Sequence, residues 1–294
     1  MSSTTPTPQN KNNSGIKVAG VVTAVLAVVA TLMVKFGVRE GVKGHYMNDY
    51  SVYSATAATR QANADWLKRQ GANLNALYGT SASLTSSSGR PILADVILRN
   101  RRAGVSSNGF PYSTSNSVVN SLNAYNAAVS DSSKFDFVIS EIEPYNTGDY
   151  AGFYTTLRTV SDWCKAKGLQ SATYQGWCNE ACWDSISKNC QRVFIHCYKQ
   201  SNAMDGASQY GYISTRLGTL AAKCKKNNVK MQVVIIYSDE PSFAYSYFQS
   251  NSFDQTYNNF LSTYSLRSTA DMKAWLIPSG YMVFVSKYSK QIKP

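Results

Sequence analysis

Met231-Gln232-Val233-Val234-Ile235-Ile236-Tyr237 is apolar at both parities apart from one glutamine, and it runs into Ser238-Asp239-Glu240-Pro241. A strand with one wet face alternates apolar and polar side chains. A run that is apolar on both faces belongs to a strand covered on both sides, as in parallel sheets flanked by helices. The neighbouring segments fit that reading. Tyr212 to Lys226 upstream and Phe253 to Tyr264 downstream both read as helices, so the strand sits inside βαβ units.

Working outward, the same alternation continues. Further strands are expected at Leu74 to Tyr78, Ile92 to Leu98, Phe135 to Ile142, Leu169 to Trp177, Arg192 to Tyr198 and Tyr281 to Ser286. Helices are expected at Ala55 to Gln70, Thr114 to Ser130, Tyr150 to Lys167 and Glu180 to Ser187. In the second of these, Val118, Val119, Leu122 and Tyr125 recur at helical spacing. Gly71 and Gly168 stand where two of these helices must stop. A first strand near Tyr46 to Tyr53 brings the count to about eight repeats in roughly 250 residues, the size of a (β/α)8 barrel. An open doubly wound sheet is the other arrangement that the alternation allows.

Ahead of this domain, residues 1–15 are rich in Ser, Thr, Pro and Asn and are expected to be disordered. Val18 to Val34 then forms an uncharged run of about 17 residues, ~25 Å long as a helix, near the lower limit for crossing a bilayer. It has no polar face, unlike a surface helix packed on a core. The expected organisation is a disordered tail (1–15), a single transmembrane signal anchor (16–38) and a barrel (39–294), with membrane lipid as a partner and the C-terminal domain exported. A cleaved signal peptide is the alternative, with Val28-x-Ala30 as its cleavage site.

The net charge of +12, from 29 Lys and Arg against 17 Asp and Glu, is scattered along the chain. It suits a soluble basic surface better than a nucleic-acid stripe. Six cysteines without a CxxC pair, and only two histidines, argue against zinc, and no metal or other cofactor is expected. Export would permit disulfides, for which the cluster Cys178, Cys182 and Cys190 is the natural source.

In a parallel barrel the chemistry sits at the C-terminal ends of the strands. Phe135-Asp136-Phe137-Val138-Ile139-Ser140-Glu141-Ile142-Glu143-Pro144-Tyr145 puts Phe137, Ile139, Glu141 and Glu143 on one face. Carboxylates in an apolar strand are costly unless a site uses them. A close pair raises the pKa of one member and makes it a proton donor near neutral pH, as glycosidic bond cleavage requires. Asp239 and Glu240, after the 231–237 strand, are either a second acidic contribution to that mouth or helix caps.

Residues 136–143 resemble the DxxDxDxE motif at the end of strand four in family-18 glycoside hydrolases, the chitinase-like barrels. Asp136 and Glu143 match its ends, Glu141 stands for its third acid and Ile139 for its second. His196-Cys197-Tyr198-Lys199 keeps the Tyr of the family's M-x-Y-D. Ser279 to Phe284 keeps the Gly and Met of its G-G-x-M-x-W, with Phe284 for the Trp. The resemblance implies Glu143 as general acid, Glu141 orienting the substrate N-acetyl group that attacks as the internal nucleophile, Tyr198 hydrogen-bonded to that acetamide, and Phe284 as the floor under the sugar.

Tyr145, Tyr150, Tyr174, Trp177, Tyr237, Tyr245 and Tyr247 fall at or just after expected strand ends, and aromatic faces suit the C–H faces of sugar rings. The expected catalytic residues are therefore Glu143, Glu141 and Tyr198, with Asp136, Tyr145, Trp177, Asp239, Glu240 and Phe284 contacting substrate. The function expected is a membrane-anchored glycoside-hydrolase-like barrel that acts on or binds N-acetylhexosamine-containing glycans. The competing readings are a non-catalytic glycan-binding relative and a structural membrane protein of a cell envelope or virion.

Overall fold

Eight parallel strands alternate with helices around one closed ring. The computed structural model describes residues 41–113, 117–284, 288 and 290. The expected tail (1–15) and membrane anchor (16–38) lie outside these residues. Among the described residues no helix is long and apolar enough to cross a membrane.

In chain order the principal elements are β1 (Val42–Met47), α1 (Ala57–Arg69), β2 (Leu74–Leu77), α2 (Gly89–Arg102), β3 (Ser107–Tyr112), α3 (Val118–Ala128), β4 (Phe137–Ser140), α4 (Tyr150–Lys167), β5 (Gln170–Gln175), α5 (Glu180–Asn189), β6 (Arg192–His196), α6 (Gly206–Lys226), β7 (Met231–Ser238), α7 (Phe253–Arg267) and β8 (Leu276–Phe284). All neighbouring strands pair in parallel, and β8 pairs back onto β1, which closes the barrel and excludes the open sheet.

Two expected strands were misplaced. Ile92 to Leu98 lies inside α2, where Leu93, Val96, Ile97 and Asn100 are buried at helical spacing. The β-branched residues there pack a helix face, so tertiary burial overrides strand propensity. The third strand is Ser107–Tyr112 instead. It contains Gly109 and Pro111, both poor strand formers, yet Gly109 is required: a Cβ there would lie 2.6 Å from a ring carbon of Phe137 and closer still to the ring's tip. The first strand starts four residues earlier than expected. It ends at Met47, and Tyr50–Ser54 forms a helical turn.

The lumen is packed solid. Tyr46, Leu74, Ala76, Phe137, Ile139, Ala172, Tyr174, Phe194, Val234, Ile236 and Met282 form one buried cluster, with Phe137 and Phe194 stacked at 6.2 Å. Below them Arg192 lies 5.6 Å over the Phe137 ring and bonds Gln232 at 3.0 Å. Each fully buried ring contributes about 2–3 kcal/mol, and the filled lumen confines any ligand to the mouth. The opposite parity of each strand packs against the helices. Val233, Ile235 and Tyr237 of β7 belong to the outer core with Ile213, Leu217 and Leu220 of α6.

Helix α4 is capped sharply at both ends. Asp149 accepts from the Gly152 N–H at 2.8 Å to start α4, and Gly168, at φ +68°, ends it in a left-handed turn. Asn179 does the same for α5. Beside that cap Cys178 is disulfide-bonded to Cys182, within the expected cysteine cluster, while Cys164, Cys190, Cys197 and Cys224 are free and buried.

Candidate active site at the C-terminal mouth of the barrel

Strand β4 carries the acids. Glu141 extends the ladder past Ser140, its N–H donating to the Tyr112 carbonyl at 2.8 Å. Burial, and then the negative charge of Glu143, push its carboxyl up to about 8. Near neutral pH Glu141 therefore keeps its proton beside a charged neighbour, the separation of roles that acid catalysis by a carboxyl pair requires. Glu143 is the residue before the helical turn Pro144–Thr147. It accepts a hydrogen bond from the Tyr145 hydroxyl and one from Asn146 Nδ2 at 2.7 Å. Its Oε1 lies 3.8 Å from His196 Nε2.

Strands β5 and β6 bring aromatic groups to the same place. The Tyr174 and Tyr198 hydroxyls are hydrogen-bonded to each other. His196 sits between them in the stack, 4.0 Å from the Tyr174 ring and parallel to Tyr198 at 4.9 Å. Tyr198 stacks in turn on Phe284 at 5.9 Å, and Phe284 meets Tyr46 at 5.1 Å. Both tyrosine hydroxyls are held above their ordinary range by burial, with Glu141 and Glu143 adding to the shift. They remain neutral donors. Burial and the Arg216 guanidinium lower His196 to about 3, so it is a neutral imidazole, and its Nε2 has no hydrogen-bond partner.

Gly176, just past β5, makes this approach possible. A Cβ there would stand 2.7 Å from His196 Nδ1 and 2.8 Å from the Tyr145 hydroxyl. The absence of a side chain leaves room for the Tyr145 hydroxyl where it meets Glu143. Gln175 ties the strand ends together by donating to the Ile142 carbonyl at 3.1 Å and to Thr173 Oγ1 at 3.0 Å.

Of the residues expected from sequence, Glu141, Glu143, Tyr145, Tyr198 and Phe284 meet at this mouth. Glu240 joins them from β7: it accepts from Ser238 Oγ at 2.8 Å, and its charge acts on Tyr198. Trp177 stands at the rim, 54% exposed. Two expectations fail on position. Asp136 precedes β4 and lies at the opposite end of the barrel, where Arg101 and the Asn108 N–H bind its two oxygens, each at 2.8 Å. It ties α2 to the bottom of the sheet. Asp239 is fully buried and follows Ser238 on the outward parity of β7, its N–H on the Phe284 carbonyl at 2.7 Å. Tyr237 likewise faces outward and donates to Gln209 at 2.9 Å. His196, Gly176 and Tyr46 were not singled out as site residues. The signal for His196 was the alternation Phe194, His196, Tyr198, which places it on the inner face.

No group of His, Cys, Asp and Glu capable of holding a metal occurs among the described residues. Surface cavities of about 370 and 310 Å³ lie on the outer layer, one between α4 and α5 and one beside Phe135, away from the mouth.

No family model matches the sequence, and no curated protein does. Solved structures resemble it in fold. The family-17 β-1,3-glucanosyltransferase of Rhizomucor miehei is 11% identical over 83% of this chain and 86% of that one, with a TM-score of 0.52. A family-26 endo-β-1,4-mannanase of Cellulomonas fimi is 12% identical over 83% of this chain and 64% of that one, at 0.50. A family-18 chitinase from Pseudoalteromonas aurantia is 10% identical over 82% and 93%, at 0.47. The first two likenesses are of the fold alone, so the resemblance read from residues 136–143 is met at the level of the barrel.

Proposed function

We propose that the chain is a glycoside-hydrolase-like barrel that acts on N-acetylhexosamine-containing glycans at the mouth formed by β4, β5, β6 and β8, tethered to a membrane by residues 16–38 with the barrel exported. The observation that carries this reading is the Glu141–Glu143 pair, one carboxyl holding its proton near neutral pH beside a charged one. Support comes from the aromatic layer Tyr198–Phe284 beside it and from a fold like that of a glucanosyltransferase and a mannanase.

In this reading Glu141 supplies the proton to the leaving glycosidic oxygen, and Glu143 is the charged partner that stabilises positive charge developing on the sugar. These roles are exchanged relative to those implied by the family-18 motif, because the deeper carboxyl is the one that burial neutralises. Tyr198 offers its hydroxyl to the acetamide and Phe284 its face to the ring.

The test is turnover of chito-oligosaccharides by the full-length chain. Glu143→Gln is expected to lower turnover by about 10²- to 10⁴-fold while leaving the oligosaccharide Kd essentially unchanged. Full activity in that variant would reject the assignment. A non-catalytic glycan binder is the second reading, favoured by Ile139, which is wholly buried in the lumen where the motif has an acid. It expects saturable binding without turnover in the unaltered protein, lost in Phe284→Ala. For the anchor, the full chain is expected to stay in the membrane fraction after high-salt washing, and release of a shorter soluble chain would instead show a cleaved leader.

A further inference from the structure

Beside the proposed site, the rim of β5 carries positive charge with no protein anion to balance it. Arg216 on α6 is 6% exposed. Its guanidinium donates to the Gly176 carbonyl at 2.9 Å and the Tyr212 carbonyl at 3.0 Å. It lies 4.6 Å over the Trp177 ring and 4.8 Å over that of Tyr212. Its Nε has no hydrogen-bond partner. Lys199, at the end of β6, places its ammonium 5.0 Å from the same Tyr212 ring. Among the described residues neither cation is in an ion pair.

A buried guanidinium without a carboxylate is costly, and two aromatic faces offset only part of that cost. If the role of this arginine were only to brace the Gly176 carbonyl, an acid in contact with it would ease its burial, and among the described residues no acid pairs with it. The Arg216 charge lies against Trp177, whose side chain is exposed at the mouth. Trp177 directly follows Gly176, over which the Tyr145 hydroxyl reaches Glu143. A sugar bound on Trp177 would therefore lie beside the loop residue whose neighbour, Tyr145, donates to Glu143.

We propose that Trp177, Lys199 and Arg216 form a subsite for an acidic sugar, one bearing a carboxylate, so that the preferred glycan alternates a neutral ring at the Glu141–Glu143 pair with an anionic ring on Trp177. This inference rests on the glycan reading of the mouth and names its substrate class. The Trp177 face takes the apolar side of the ring, and the Lys199 ammonium takes the carboxylate as a charge-assisted partner. Arg216 supplies the field that favours the anion.

The test is titration of the full-length chain with two oligosaccharides of equal length: a hyaluronan tetrasaccharide, which alternates N-acetylglucosamine with glucuronate, and neutral chitotetraose. The acidic probe is expected to bind about tenfold more tightly at low salt, with the preference shrinking as salt rises. Lys199→Gln, on a half-exposed side chain that leaves the fold intact, is expected to lower binding of the acidic probe to the neutral level and leave chitotetraose unchanged. Trp177→Ala is expected to weaken the acidic probe at every salt concentration. Chitotetraose binding as tightly as the acidic probe, or Lys199→Gln weakening both equally, would overturn the subsite alone. Binding of neither probe would overturn the glycan reading together with it.

Discussion

Gly280→Ala is expected to strain the closure of the barrel and lower its melting temperature. Gly280 opens the seam between β8 and β1, where it pairs with Val42. It follows a register shift against β7: Val233 faces Pro278 and Val234 faces Gly280, so Ser279 is the extra residue of a bulge. The bulge sets φ at +126°, a region that residues with a Cβ rarely adopt. A methyl group would stand 2.7 Å from the Val42 carbonyl carbon and nearer still to its nitrogen and oxygen, so the obstacle is backbone and cannot rotate away. The Gly280 N–H also donates to the Tyr257 hydroxyl at 2.8 Å, fixing the bulge to α7. Strain and clash together are expected to cost more than about 4 kcal/mol. Thermal unfolding would then begin at least ~8 °C lower, at about 2–4 °C per kcal/mol for a domain of this size. Gly218→Ala on α6 is the control. Nothing lies within 4 Å of a Cβ there, and the helix is expected to gain up to about 1 kcal/mol. A Gly280→Ala midpoint within ~2 °C of the unaltered protein would show that the seam is not under the constraint described.

The two strands most easily read in the sequence are the ones that the lumen and the outer layer both cover. β7 is apolar at every position but Gln232 and its last residue, Ser238, and β4 runs Phe-Val-Ile before its acids. Burial on two faces leaves a compositional mark that needs no partner to be recognised. β3 leaves none. Its Gly109 exists to admit the Phe137 ring from the next strand, and a close approach between segments 28 residues apart has no local signature. The α2 segment shows the converse: Ile92, Leu93, Val96, Ile97 and Leu98 satisfy both periods, and only the packing chooses between them.

Parity explains the site residues in the same way. A fully apolar strand does not say which of its faces lines the lumen, so Tyr237 and Asp239 were read toward the mouth and lie on the outer side, while Ser238 and Glu240 face inward. On β4 the acids themselves fix the parity, and Glu141 and Glu143 fall where the alternation puts them. Asp136 fails for distance and not for parity. Five residues before Glu141, it is ~17 Å away along a strand, at the end of the barrel where loops hold the fold together.

Replacing Glu141 with Gln is expected to make the protein less active throughout, and more stable only above mildly acidic pH. In the unfolded chain this carboxyl titrates as an ordinary glutamate, near the reference value of 4.5, whereas in the fold burial and Glu143 hold it at about 8. Below the lower value both states carry the proton and the side chain contributes no pH dependence. Between the two values the folded protein holds a proton that the unfolded chain has released, so stability falls as pH rises, and above the upper value the loss is complete. Glutamine keeps the shape and removes the ionisation. At pH 8 the variant is therefore expected to be more stable by about 3 kcal/mol, the full shift being reduced by the partial exposure of the group, and to melt ~6–12 °C higher. At pH 4 the two proteins are expected to melt together. If Glu141 is the proton donor, the same change lowers turnover by about 10²- to 10⁴-fold, and in the unaltered protein activity declines as pH passes about 8. Thermal unfolding measured from pH 4 to pH 9 separates the parts. Parallel melting curves would show that the carboxyl is not buried in its neutral form. Diverging curves with undiminished turnover would leave the electrostatics standing and move the proton donor to Glu143.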